Sequence, residues 1–306
     1  MSNPDYAAYT KTVIDSIGPG ASPRAKVVFP ILIKHLHTFM VEADISTEEL
    51  LAACDMLVGA GKVSDERRNE VLLVSDTLGC ESLCDTLDSA RAARAADKAA
   101  AGGADPDSPE AIGCSAIIGP FYRTGVPEQP NGTSIIRHPE PNAPYTFMHG
   151  TIFGSDGKPL PDALVDIWHD APDGLYDAQT PEKPEYHCRG RFRTDKDGKW
   201  SAIILKPTPY PIPYDHQAGD MLKLMDRHPF RPAHVHLWIH HPKHRSFVTQ
   251  IFNSDSEYLK DDAVFAVKDN LIVEYKPISK DYKQPHGIDG EVIYELKQDF
   301  RLPAAV

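Results

Sequence analysis

The stretch Arg231-Pro232-Ala233-His234-Val235-His236-Leu237-Trp238-Ile239-His240 decides how this chain is read. Val235, Leu237 and Ile239 alternate with His234, His236, Trp238 and His240, and a period of two is that of a half-buried β-strand. The aliphatic residues then share the core face and the histidines share the other. One ribbon can therefore offer two ring nitrogens to a single metal ion. A bare His-x-His also reads as two ordinary half-buried histidines, so the rest of a coordination sphere has to come from elsewhere in the chain.

On either side of this ribbon the same period recurs. Ser246 to Phe252 reads as its antiparallel neighbour, and Val264 to Tyr275 supplies further strands. Upstream, Asp156-Gly157 marks a turn between Thr151-Ile152-Phe153 and the strand Ala163 to Trp168. Asp197-Gly198 marks a second hairpin, between Gly190 to Thr194 and Trp200 to Ile204. Many short strands together with 27 prolines point to an antiparallel β-sandwich rather than a parallel sheet.

Residues 1–105 read as helical. Asn3-Pro4 opens a first helix that Gly18 to Gly20 closes, and Ser22-Pro23 opens a second. There Val27, Val28, Ile31, Leu32, Leu36, Phe39 and Met40 recur at helical spacing, with a kink expected at Pro30. Ser46-Thr47-Glu48-Glu49 fits a capping box, for a helix stopped by Gly59 and Gly61. One longer helix is expected from Ser64 through Leu87. The alanine-rich run Ala90 to Ala101 is a solvated helix end or linker, and Gly102-Gly103-Ala104-Asp105-Pro106 marks the boundary. The expectation is α+β: an all-helical domain over 1–105 and a β-sandwich domain over 106–306.

Composition narrows the function. The chain has 306 residues, 41 % hydrophobic and 25 % charged, with a net charge of -12, which leaves no basic face for nucleic acid. No apolar run approaches the ~20 residues that cross a bilayer. Cys54, Cys80, Cys84, Cys114 and Cys188 form no C-x-x-C pair, and the first residues lack an apolar leader core. Reduced thiols and a cytoplasmic protein are expected, with Cys80 and Cys84 packed in the core.

Two tyrosines stand in irregular segments upstream of the histidines. Tyr176 follows Pro172-Asp173-Gly174-Leu175, and Tyr210 lies in Pro207-Thr208-Pro209-Tyr210-Pro211-Ile212-Pro213. Phenolate is a hard donor suited to a ferric ion, and a phenol of pKa about 10 needs a strong Lewis acid to ionise near neutrality. Either tyrosine also reads as a packed aromatic.

Taken together, Arg231 to His236, Val165-Asp166-Ile167-Trp168-His169 with Tyr176 behind it, Gly119-Pro120-Phe121-Tyr122 and Thr249-Gln250-Ile251 resemble an intradiol ring-cleavage dioxygenase of the catechol 1,2-dioxygenase type. The resemblance implies one Fe(III) per subunit bound by Tyr176, Tyr210, His234 and His236. It implies an aromatic diol and O2 as substrates, with Tyr210 taking a proton from the incoming diol. It also matches Arg231 to a fixed cation at the reacting carbons and Gln250 to its polar neighbour. His169 and His240 read as near-site or surface histidines.

Tyr210 to Asp215, Gly219-Asp220-Met221-Leu222 and Ile118 to Phe121 resemble the hydroxyquinol 1,2-dioxygenase branch. By that likeness Asp85, Ile117, Gly119, Pro120, Phe121, Ile212, Pro213 and Val264 wall the ring pocket, with Asp85 receiving a third hydroxyl. The substrate expected is 1,2,4-trihydroxybenzene, giving 3-hydroxy-cis,cis-muconate and then maleylacetate. Catechol, giving cis,cis-muconate, is the alternative. Outside this family, a metal-free β-sandwich binding module or a zinc hydrolase using the histidine pair would account for less of the pattern. The helical segment is expected to form a homodimer, with a phospholipid at the interface along Phe29, Ile33, Leu36 and Phe39 as a further option.

Overall fold

The computed structural model describes residues 5–100 and 115–303. The expected Asn3-Pro4 cap, Cys114 and the Gly102 to Pro106 boundary lie outside them. By packing, the chain forms two units, Met1–Gly59 and Ala60–Val306. This division falls well before the 105 boundary read from composition, because the helices that follow residue 60 belong with the strands.

In the first unit, α1 (Tyr6–Asp15) is capped by Asp5, whose carboxylate accepts from Ala8 N at 2.9 Å. It ends at Ser16, before the glycines expected to close it. α2 (Ala25–Glu42) runs on through Pro30. The two are tied by Thr10 Oγ1 at 3.0 Å from His37 Nδ1 and by Tyr9 stacked on that imidazole. Among the described residues neither helix buries a side chain, and Phe29, Ile31, Leu32, Leu36 and Phe39 are all exposed. α3 (Thr47–Val63) begins with the expected capping box: Glu49 N donates to Ser46 Oγ at 3.2 Å, and Ser46 N to Glu49 Oε2 at 2.8 Å. It passes through Gly59 and Gly61, and ends where Ser64 Oγ donates to Ala60 O.

The single helix expected from Ser64 to Leu87 is broken. α4 (Glu70–Thr77) stops before Gly79, which takes a left-handed φ of 71° and donates to Asp76 O, and α5 (Cys80–Ala100) restarts beyond it. Asn69 caps α4, accepting from Leu72 N at 3.0 Å. Asn69→Ala is expected to cost about 1 kcal/mol, read as a lower urea midpoint at unchanged slope. Cys80 and Cys84 are exposed on α5 rather than packed in the core.

The second unit is a β-sandwich. A six-stranded sheet contains, from its middle outward, Leu164–Trp168, His234–His240 and Phe247–Asn253, all antiparallel. A five-stranded sheet is built on Tyr145–Phe153 paired antiparallel with Lys199–Leu205. Val165, Ile167, Val235, Leu237, Ile239 and Ile251 from the first meet Met148, Ile152, Trp200, Ala202 and Ile204 from the second in one core.

Three expectations need correction. The turns at Asp156-Gly157 and Asp197-Gly198 carry glycines at φ 75° and 72° as foreseen, yet the strands on either side do not pair across them, Asp156-Gly157 closing only the bridge from Phe153 to Pro159. Each hands the chain from one sheet to the other, since Tyr145–Phe153 and Lys199–Leu205 pair with each other while Leu164–Trp168 pairs with Arg189–Arg193. The sandwich is also not purely antiparallel. Ile272–Val273, at the edge of the first sheet, and Val292–Lys297, inside the second, run parallel to Phe247–Asn253 and Tyr145–Phe153. Of Val264 to Tyr275, only Ile272–Val273 is strand. Among the described residues no helix is long and apolar enough to cross a membrane.

Candidate metal centre and ring pocket

The register of the central strands places the histidines. Val235, Leu237 and Ile239 are fully buried between the sheets, which turns His234 and His236 to the opposite face, where both are also buried. His236 stands directly across from Trp168 on one side and Gln250 on the other. Residues opposite one another share a face, and the Trp168 indole accordingly lies flat on the His236 ring, 4.7 Å between centroids at 8°. Gly119 backs the same imidazole at φ 72°, where a Cβ would sit 3.4 Å from His236 Cε1.

Tyr176 is delivered by a tight loop. Gly174 N donates to Ala171 O at 2.8 Å and Ala171 N to Leu175 O at 2.9 Å, and the phenol behind them stacks on Phe121 at 4.9 Å. Tyr210 comes from the proline-rich segment, held as a two-residue strand whose partner across the ladder is Arg231. The two phenol oxygens lie 3.2 Å apart, and both rings are almost wholly buried. The tilted Tyr210 and His234 rings are 5.4 Å apart, and Tyr176 and His236 are 6.2 Å apart. The structure thus brings together the four ligands implied by the resemblance.

The chemistry of this donor set fits a hard trivalent cation. His234 Nδ1 lies 2.7 Å from Pro232 O, so it carries the hydrogen and leaves the Nε2 lone pair facing His236 Nε2 at 3.1 Å. Burial, with Arg231 adding to it at His234, pushes both imidazoles well below their ordinary 6.5, which keeps them neutral donors. Burial pushes the Tyr176 phenol well above 10, and raises Tyr210 also, where the Arg231 guanidinium opposes the shift. Only a strong cation would ionise two such phenols. Among the described residues no group of three or more His, Cys, Asp or Glu is arranged to hold a metal. An ion at the histidine pair would therefore complete its shell with tyrosine oxygens, which disfavours the zinc hydrolase.

Arg231 is buried and fully engaged. It donates to Asp262 through Nε and Nη2 at 3.0 and 3.1 Å and to Gln250 Oε1 at 2.7 Å, and its Nη1 stands 3.0 Å from His234 Nε2. Gln250 Nε2 in turn donates to Ile117 O at 2.9 Å. One chain of contacts therefore links Ile117, Gln250, Arg231 and His234. Ile117, Phe121, Ile212, Pro213 and Val264 are buried, and Gly119 and Pro120 lie beside them. Val264 N donates to Asp262 at 3.3 Å.

The Asp85 carboxylate, expected to receive a third hydroxyl, accepts from Lys268, whose ammonium also donates to Ser115 O at 2.8 Å. A second buried carboxyl that Arg231 influences electrostatically is Asp76 on α4, one turn beyond the buried Leu73. Neither oxygen of Asp76 has a donor among the described residues. The signal for it was an acid inside the apolar run Val71 to Leu78. His169 is buried, with Nδ1 2.6 Å from Asp170 O, and burial pushes it down to about 4. His240 pairs with Asp166 at 3.2 Å, away from the tyrosines.

Comparison with known proteins agrees with this geometry. The family model described as Dioxygenase matches residues 117–304, and the one described as Catechol dioxygenase N terminus matches 22–96. The chain is 38 % identical over 296 residues to the catechol 1,2-dioxygenase of Candida albicans, covering 96 % of this chain and 91 % of that one. It is 34 % identical to the hydroxyquinol 1,2-dioxygenase of Nocardioides simplex, covering 91 % and 89 %. The crystal structure of hydroxyquinol 1,2-dioxygenase from Pseudomonas putida DLL-E4 superposes with a TM-score of 0.77 at 30 % identity, covering 98 % and 99 %. The chain belongs to the intradiol ring-cleavage dioxygenases and is an enzyme of that family, of the catechol or hydroxyquinol 1,2-dioxygenase kind.

Proposed function

We propose that this enzyme holds one ferric ion per subunit on Tyr176, Tyr210, His234 and His236 and opens 1,2,4-trihydroxybenzene with O2 to 3-hydroxy-cis,cis-muconate, the tautomer of maleylacetate. The observation that carries the substrate is Asp76, a buried carboxyl that Arg231 influences electrostatically, with neither oxygen given a donor among the described residues. A ring hydroxyl would satisfy it.

Bound there, the ferric ion would supply the Lewis acidity that holds both diol oxygens as anions and makes the ring reactive toward O2. The chain's own groups do the rest. Tyr210 Oη, on the strand paired with Arg231 and 3.2 Å from Tyr176 Oη, would be the group that accepts a diol proton once the ferric ion has ionised it. Arg231, held from two sides by Asp262 and Gln250, presents a fixed cation to charge developing on the opening ring. Phe121 and Ile117 exclude water.

Leaving Asp76 without its hydroxyl costs about 1–3 kcal/mol, so the purified enzyme is expected to favour trihydroxybenzene over catechol by roughly 5- to 150-fold in kcat/KM. Iron analysis and a broad visible phenolate band test the metal in the same preparation. Similarity to the Candida albicans catechol 1,2-dioxygenase favours catechol as the second reading. Equal or better turnover of catechol would establish it over the first.

We also propose that the N-terminal helices form a homodimer, since the exposed Phe29, Leu36 and Phe39 of α2 form an apolar face with no cover among the described residues. An acyl chain lying along that face is the form a bound phospholipid would take. Sedimentation is expected to give twice the 33.8 kDa of the chain, and a fully active monomer would overturn the dimer.

A further inference from the structure

The two tyrosine-bearing segments come from different parts of the chain, and among the described residues no strand pairing joins them. Tyr176 lies in the loop after Leu164–Trp168, and Tyr210 in the proline-rich run after Lys199–Leu205. Their phenol oxygens nevertheless lie 3.2 Å apart. Besides that contact a hydrogen bond crosses between the segments near their roots: Thr208 Oγ1 donates to Asp170 Oδ2 at 2.8 Å. Asp170 is 1 % exposed, and its other carboxyl oxygen has no partner among the described residues. Its main chain is held as well, since His169 Nδ1 bonds the Asp170 carbonyl at 2.6 Å. Further along the same loop Gly174 sits against Tyr210, where a Cβ would stand 3.2 Å from Tyr210 Cβ. The other side of the proline-rich run is open. Pro207, Thr208 and Pro209, with Phe230 and Tyr258, line a cavity of about 580 Å³. Proline fixes the dihedrals of the run but not its position against that space. A buried carboxyl costs stability unless it is compensated, and one hydroxyl compensates it only in part, so its place between these two segments calls for a function.

We propose that the hydrogen bond from Thr208 to Asp170 is a clamp that fixes the spacing of the two phenol oxygens, which makes Thr208 and Asp170 positioning residues for the oxygen donors of the metal. This rests on the ferric reading of the site. One ion can take both phenolates only while their oxygens stay within one coordination shell, and two phenolates brought together repel each other. The charge of the ion holds them while both are ionised. When Tyr210 takes the diol proton that hold weakens, and the clamp then keeps the Tyr210 main chain from following its phenol toward the cavity. The phenol leaves and returns by side-chain rotation alone. Thr208 and Asp170 thus act through Tyr210 and Tyr176 rather than on the substrate.

The test uses the full-length, iron-loaded enzyme. Thr208→Val keeps the shape of the side chain and removes its hydroxyl. The visible phenolate band is expected to shift and weaken, and iron to pass to a chelator about 10- to 100-fold faster, the scale for losing a group that orients a metal ligand. A fall of similar size is expected in kcat, with KM little changed. Thr208→Ser keeps the hydroxyl and is expected to restore both the band and the iron retention. Asp170→Asn still offers Thr208 an acceptor and is expected to leave the band in place; if it moves the band as far as Thr208→Val does, the carboxylate acts by its charge and the clamp is overturned. Thr208→Val strands a buried carboxyl, so if it fails to fold, Asp170→Leu combined with Thr208→Val removes both polar partners and carries the same expectations. A lower urea midpoint with the parental band and iron retention would show that the bond serves stability alone, and would overturn the proposal. A colourless, iron-free parent enzyme would remove the ferric reading and the clamp together, whereas a coloured parent with an unchanged Thr208→Val removes the clamp alone.

Discussion

Tyr176→Phe is expected to fold normally, to lose most of the visible phenolate absorption, and to drop in kcat/KM by more than about 10²-fold. Removing a group that merely orients a metal ligand costs about 10- to 100-fold, so a ligand must cost more. The ring is what packs: Phe121 stacks on it, and a phenylalanine keeps that contact. The hydroxyl makes one hydrogen bond, to Tyr210 at 3.2 Å. Burial holds that phenol neutral in the absence of a cation, so its ionised form and its colour report the ion directly. Tyr210→Phe is expected to separate the roles, keeping part of the absorption through Tyr176 while losing about 10²- to 10⁴-fold in kcat as the proton acceptor goes. Full activity and undiminished colour in Tyr176→Phe would remove that residue from the coordination sphere, and with it the reading of the site.

The ribbon His234 to His240 was legible because period two is a local property: the residues that alternate in sequence are the residues that alternate in space. Tyr176 and Tyr210 were not legible that way. Each sits in an irregular segment whose direction depends on loop bonds such as Gly174 N to Ala171 O, and only the resemblance identified them. Turn chemistry at Asp197-Gly198 was visible, but whether a turn closes a hairpin or crosses between sheets depends on which strands pair, and Lys199–Leu205 pairs with a strand some fifty residues earlier. Asp76 was not legible for a similar reason: reading Ser64 to Leu87 as one helix hid the break at Gly79, after which α5 restarts and carries Asp85 to Lys268. Asp262 had no signal at all, being one of 44 acidic residues until the fold set it against Arg231.

That last pair yields the second large effect. Arg231→Met is expected to lower stability by about 3–5 kcal/mol, because it leaves the Asp262 carboxylate buried without its ion partner. The backbone amides of Val264 and Ala266 still donate to that carboxylate, which places the loss toward the lower end. The same change is expected to cost about 10²- to 10³-fold in kcat, the scale for one preorganised group facing developing charge. Stability and activity fall together in this variant, so it cannot by itself distinguish a catalytic cation from a structural one. Arg231→Met combined with Asp262→Leu can. Replacing both members of a buried ion pair by apolar groups is commonly neutral or stabilising, but Asp262→Leu also takes the acceptor from the Val264 and Ala266 amides, and Gln250 loses its donor, so the double variant is expected to recover only part of the lost stability while kcat stays down. If the double variant regains activity along with stability, Arg231 serves only to satisfy Asp262, and the charge on the opening ring must be met by another group.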